Sequence, residues 1–258
     1  MYRTANSVIF LTLIMILLPS CTDSLKEDHS LTIKEYVKMG MPDHKITWTN
    51  DEYISANITL STLKINNPQA FPRKRSKKSG DLFKRLVSKE NLSFTNNQEL
   101  PIRNRAFLIQ HYPRFQYELT QLYTDSSKEE QYYHEELIET YIFGLFIHGK
   151  MLDLAGIIMN SEREEEKSIQ EGLGTVVFNY LKTLSNIMEE QLKTNIYKAE
   201  DLDRISMEVK NSIEHNLDWI LPADKQKLSV KLQKVIDETP STEVKVNYGK
   251  ALELVKGN

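Results

Sequence analysis

Beyond residue 30, apolar residues recur at three- and four-residue spacing along most of the chain, and that period predicts helices. The cleanest run is Leu173, Val176, Val177, Tyr180, Leu181, Leu184, Ile187, Met188 and Leu192. Before it, Leu137, Tyr141, Leu145, Leu152 and Met159 form one stripe, with Ile138, Ile142 and Phe146 beside it. Ser127-Lys128-Glu129-Glu130 and Ser161-Glu162-Arg163-Glu164 have the order of a capping box. In that box the serine accepts a backbone N–H and the glutamate returns a bond to the serine's own. They place the two helix starts and a chain reversal near Asn160. Helices of roughly 30 residues, about 45 Å long and joined so tightly, pack as an antiparallel hairpin.

A third amphipathic segment carries Leu202, Ile205, Val209, Ile213, Leu217 and Ile220. Pro222 fits the first position of the next helix, which runs through Leu228, Leu232, Val235 and Ile236 to Pro240. Ser241 to Lys256 is read as a closing helix, although Val244-Lys245-Val246 also has strand character. Upstream, 33–38, 51–64 and 81–88 read as shorter helices divided by Pro42, Pro68 and Pro72. Residues 98–123 read as one long helix, with Pro113 as a kink or break. The pattern therefore predicts an all-α helical bundle over 31–258. It has two long antiparallel helices, several shorter ones and a looser N-terminal third.

Tyr141 to Met159 is apolar enough to raise the question of a membrane span. It contains His148, Lys150 and Asp153, and lipid burial of Lys or Asp costs about 2.5–3.5 kcal/mol each. A central core helix is the better reading. Composition excludes other classes. The chain has 33 basic and 36 acidic side chains, and a nucleic-acid partner would call for a strongly positive face. No repeat of fixed period occurs, and the single cysteine is Cys21.

The first 21 residues carry a different pattern. Arg3 precedes an apolar run from Val8 to Leu18 interrupted only by Thr12, and Leu18-Pro19-Ser20-Cys21 closes it. The run is too short for a bilayer span, which needs about 20 apolar residues, and has the order of a secretory signal. With Leu18, Ser20 and Cys21 in place, it resembles a bacterial lipoprotein signal; Pro19 departs from the usual small residue at its position. The resemblance implies a signal peptide over 1–20 and lipidation of Cys21, with palmitate among the acyl chains. It also implies a polar tether over 21–30. An ordinary cleaved signal followed by a free thiol is the alternative. Removing 1–20 takes away Arg3 alone and leaves a net charge of −4. Thr22, in place of the aspartate that retains lipoproteins at an inner membrane, implies sorting to the outer membrane. Lys26-Glu27-Asp28 resembles the Lys-acidic-acidic surface-export signal of Bacteroidetes lipoproteins. It lies several residues later than that signal does, and a solvated linker is the plainer reading.

Motifs for chemistry are sparse. His134-Glu135 lacks the second histidine of a zinc helix, because residue 138 is isoleucine. His134 and His148 lie about 21 Å apart along a helix and cannot share a metal. Gly172-Leu173-Gly174-Thr175 lacks the Gly-Lys of a phosphate loop, and no Gly-x-Ser-x-Gly elbow occurs. No metal or cofactor is implied.

Two clusters remain. His111, Tyr112 and Arg114 surround Pro113, and Tyr132, Tyr133 and His134 could face them across a hairpin turn to form a polar site for an anionic ligand, with His148 as a further candidate. Arg73, Lys74, Arg75, Lys77 and Lys78 form a basic run, read either as a solvated loop or as a contact with an anionic surface. The expectation is a lipid-anchored envelope protein at the outer membrane, on its periplasmic face or the cell surface. It would act as a non-enzymatic interaction or scaffolding module, with an envelope protein as partner and no nucleic acid. A small-ligand binder or enzyme with a dispersed polar site is the alternative.

Overall fold

Thr32 and Thr49 each open a helix with a reciprocal capping box, to Glu35 and Glu52 respectively, giving α1 (Ile33–Lys38) and α2 (Asn50–Asn66). The computed structural model describes residues 28–43, 48–127, 133–160, 173–192 and 197–257, and no strand occurs among them. The apolar leader, Cys21, Lys128–Glu130, Tyr132, the Ser161–Glu164 box and Gly172 lie outside the described residues. A 3-10 turn (Pro68–Ala70), α3 (Gly80–Leu86) and a 3-10 stretch (Lys89–Asn96) follow α2.

The stretch 98–123, expected as a helix with a kink or break at Pro113, is broken into α4 (Ile102–Ile109) and α5 (His111–Ser127). Pro113 has no N–H to give the carbonyl of Ile109, and its ring crowds that carbonyl, so the helix ends there. Ser127 is the last described residue of α5, and α6 spans His134–Met159. Then come α7 (Leu173–Gln191) and α8 (Ala199–His215). A 3-10 turn (Leu217–Trp219) leads to α9 (Pro222–Glu238), with Pro222 at its start, and to α10 (Thr242–Lys256). Val244 to Val246 are helical. Gly257 ends α10 at φ +76°, a left-handed conformation that glycine adopts without strain.

Helix α6 is the axis of the bundle and is buried on most of its circumference. It is the one helix among the described residues long and apolar enough to cross a membrane, but here α4, α5, α7 and α8 cover it. Contacts fix the directions. Tyr123 of α5 meets Tyr133, while Gln116, further back along α5, reaches Thr140, so α5 and α6 are antiparallel. The approach is close at Gly144, where a Cβ would lie 2.9 Å from the Gln116 amide. Helix α7 also packs on α6, as the expected hairpin: Thr183 meets His148, and Tyr141 shares a cleft with Ile187 and Glu190. Helix α8 runs parallel to α6, with Arg204 on Glu139 and His215 on Asp153. Helices α9 and α10 pair, with α10 lying on α8 and α9 reaching α7.

The N-terminal third is looser only in its short elements and connections. Its interior is aromatic and packed: Trp48, Tyr53, Tyr112 and Phe115 form one ring cluster, and Phe71, Phe83, Tyr123 and Tyr133 another. Burying rings of this size is worth about 1.5–3 kcal/mol each, with edge-on pairs adding to it.

Candidate functional site

The residues that the sequence suggested for an anion site do not converge. His111 sits at the first turn of α5 with its ring edge-on to Phe107, 5.5 Å between centroids. Arg114 points to solvent and pairs with Glu118 at 2.8 Å. Tyr133 is buried, its hydroxyl donating to the Pro68 carbonyl at 2.9 Å. Because Tyr133 packs against Tyr123, twelve residues along α5 from His111, the two halves of the cluster stand about 18 Å apart. His148 is buried against α7, its Nε2 3.1 Å from the Thr183 hydroxyl, and burial pushes its imidazole down to about 4.

The basic run has an attached inner side and an exposed outer side. On the inner side, the Lys74 backbone N–H donates to Glu136 Oε1 at 2.6 Å, Lys74 Nζ pairs with Glu139, and Arg75 pairs with Glu135 at 2.8 Å. Lys198 and Arg204 approach the same two outer acids from the other side. Glu136 is only 2% exposed, and burial raises its carboxyl above the ordinary range despite that backbone bond. For Glu139 the hydrogen bonds and charges of Arg204 and Lys74 outweigh burial and hold its carboxyl low. Gly80 is needed here: a Cβ would stand 2.9 Å from the Lys74 carbonyl, so the loop closes onto bare backbone. On the outer side, Arg75 keeps 68% of its side chain exposed, and Lys77 and Lys78 are exposed.

A cleft of about 270 Å³ opens between α6, α8 and the Lys89–Asn96 stretch. Ile142, Leu145 and Phe146 make its floor. Lys89 Nζ lies 5.2 Å and Lys150 Nζ 5.9 Å from the Phe146 ring centre. Asp153 accepts from Lys150 at 3.1 Å and faces His215 Nε2 at 2.9 Å. An apolar floor beneath two ammonium groups suits an amphipathic anion. For acyl transfer the His215–Asp153 pair would need a nucleophile, and the nearby Ser212 hydroxyl is engaged with Tyr180 at 3.2 Å. A second cleft of about 240 Å³ lies between α5, α6 and α7, with Tyr141 and Glu190 on its wall.

Among the described residues no three His, Cys, Asp or Glu side chains are grouped to hold a metal ion. The α6–α8 cleft was missed in the sequence, yet it carries a signal: Lys150 and Asp153 interrupt an apolar helix where its face meets polar groups.

One further surface stands out. Helix α2 buries Tyr53, Ala56, Leu60 and Leu63, but exposes Ile54, Ile58 and Ile65 at 49%, 63% and 83%. At 100° per residue these three fall within about 40° of one another, on a stripe about 16 Å long facing solvent in which the exposed Ser61 lies between Ile58 and Ile65. No protein-family model, curated protein or solved structure matches the chain.

Proposed function

We propose that this chain is a lipid-anchored protein of the bacterial cell envelope, at the outer membrane, whose helical domain is a non-enzymatic interaction module for an envelope protein. Anchoring rests on the order of residues 1–21. The observation that carries the interaction reading is the α2 stripe. Three isoleucines held in register on a helix packed from behind offer apolar area with little ordering to be done on binding. A lipid on Cys21 raises the local concentration of any membrane partner.

The test is in-cell cross-linking and capture of the native protein beside Cys21→Ala and the double variant Ile58→Glu, Ile65→Glu. Wild type captures one near-stoichiometric envelope protein. The double variant loses it while its own stability stays within about 0.5 kcal/mol, because both positions are exposed. Cys21→Ala weakens capture. Undiminished capture by the double variant removes the stripe as the binding face.

The α6–α8 cleft favours a second reading, binding of a small amphipathic anion. Octanoate titrated into the detergent-solubilised protein should bind, and Lys150→Gln should weaken it about tenfold, the worth of one hydrogen bond to a charged group. A flat titration with octanoate and with benzoate counts against this reading.

A further inference from the structure

The described chain begins at Asp28, and Asp28 is fastened to the basic loop. Its Oδ2 accepts from the Ser76 hydroxyl at 2.7 Å, and the Lys78 ammonium donates to its backbone carbonyl at 2.9 Å. Ser30, itself buried, bonds Ser76 at 2.8 Å between hydroxyls. Ser76 also accepts the backbone N–H groups of Lys78 and Ser79, at 2.9 and 3.1 Å. The point where the tether joins the domain is therefore the loop 73–78, and that loop is clamped in turn to Glu135, Glu136 and Glu139 of α6.

Seven peptide links separate Cys21 from Asp28. Whatever path residues 22–27 follow, they span at most about 25 Å. A domain of this length has a diameter of roughly 45 Å, judged from its expected radius of gyration. A lipid on Cys21 therefore cannot sit in a bilayer with the loop on the domain's far side, because the tether would not reach around.

We infer that Arg75, Lys77 and Lys78 face the leaflet that holds the Cys21 lipid and take its anionic headgroups, so that α6 stands with its N-terminal end toward the membrane. This rests on the lipid-anchored reading above. The chemistry matches: Arg75 and Lys78 spend one bond each internally and keep their remaining N–H donors for phosphate oxygens. The half-buried Asp28 carboxylate is engaged by Ser30 and Ser76 rather than by the exposed cations. Each exposed cation shifts the docked-to-undocked ratio about fivefold, an effect that falls away within a Debye length.

Lipidation uses the only native thiol, so an added cysteine can be labelled uniquely. Asp81→Cys places a fluorophore beside the loop. Met159→Cys places one at the other end of α6, about 35 Å from Glu136. The full-length protein is reconstituted into vesicles of phosphatidylcholine with or without phosphatidylglycerol, carrying a headgroup-attached quencher, after intact mass has read the lipid on Cys21. Position 81 is quenched much more strongly than 159 on the phosphatidylglycerol vesicles. The contrast shrinks without that lipid, in high salt and in Arg75→Gln, Lys77→Gln, Lys78→Gln. Equal quenching at both positions, with lipid present by mass, overturns the orientation while leaving the anchor intact. A contrast indifferent to phosphatidylglycerol, salt and the triple variant overturns the headgroup contact. A mass without lipid overturns the anchored reading and this inference with it.

Discussion

Tyr123→Ala is expected to lower the stability of the domain by about 3–5 kcal/mol, the range for emptying the site of a large buried ring. Tyr123 is fully buried and meets Phe71, Phe83 and Tyr133 at ring-centre distances of 5.6, 5.8 and 5.2 Å. These rings come from four separate parts of the chain, so no single side chain can relax into the space. Its hydroxyl donates to the Pro72 carbonyl at 2.7 Å, directly before the basic run. The loss is therefore both global and local. Urea denaturation reads the first part; a fall of less than about 1 kcal/mol would mean the cluster collapses around the gap. Limited trypsin digestion reads the second. Lys74 is half-buried and paired in the native loop, and cleavage there should rise in the variant before the rest of the domain is cut. Tyr123→Phe separates the effects: it keeps the rings and loses the hydroxyl bond, at about 1 kcal/mol.

What was legible in the sequence follows from which helices are one-sided. Residues 199–215, 222–238 and 242–256 have one face on the core and one in water, and their pattern marks them within a few residues. Helix α6 is buried nearly all round. Its period is weak, and the acids of its first two turns have partners far away in the chain. Glu135, Glu136 and Glu139 receive a loop about 60 residues earlier in the chain, and nothing local in either segment names the other. The same blindness joined His111 and Arg114 to Tyr133 and His134 across a turn. In an antiparallel α5–α6 pair only the end of α5 is near the start of α6, and His111 is at the beginning. The tether's attachment to Ser76 was equally out of reach, since a serine in a basic run announces nothing.

His148 gives the second large effect, and it depends on pH. The side chain is 4% exposed, Nε2 meets Thr183, and Nδ1 has no hydrogen-bond partner among the described residues. Burial lowers its imidazole from 6.5 to about 4. The unfolded chain takes up a proton near pH 6.5, whereas the folded chain refuses it until about pH 4. Stability from this group is thus complete above pH 6.5 and is lost as pH falls, by about 1.4 kcal/mol per pH unit across that window. At pH 5 the loss amounts to roughly 2 kcal/mol. Glu136 and Asp201 act the other way, since burial raises their carboxyls and the folded state binds those protons first. Total stability against pH would mix these effects, so the comparison is with His148→Met, which fills similar space and does not titrate. At pH 7 the two proteins should differ little. At pH 5 the variant should gain roughly 2 kcal/mol relative to wild type in urea denaturation. Parallel stabilities at the two pH values would mean that water reaches the imidazole and that α6 and α7 part at His148. The expected divergence would instead mark His148 as a neutral core residue near pH 7, with no positive charge to offer an anionic ligand.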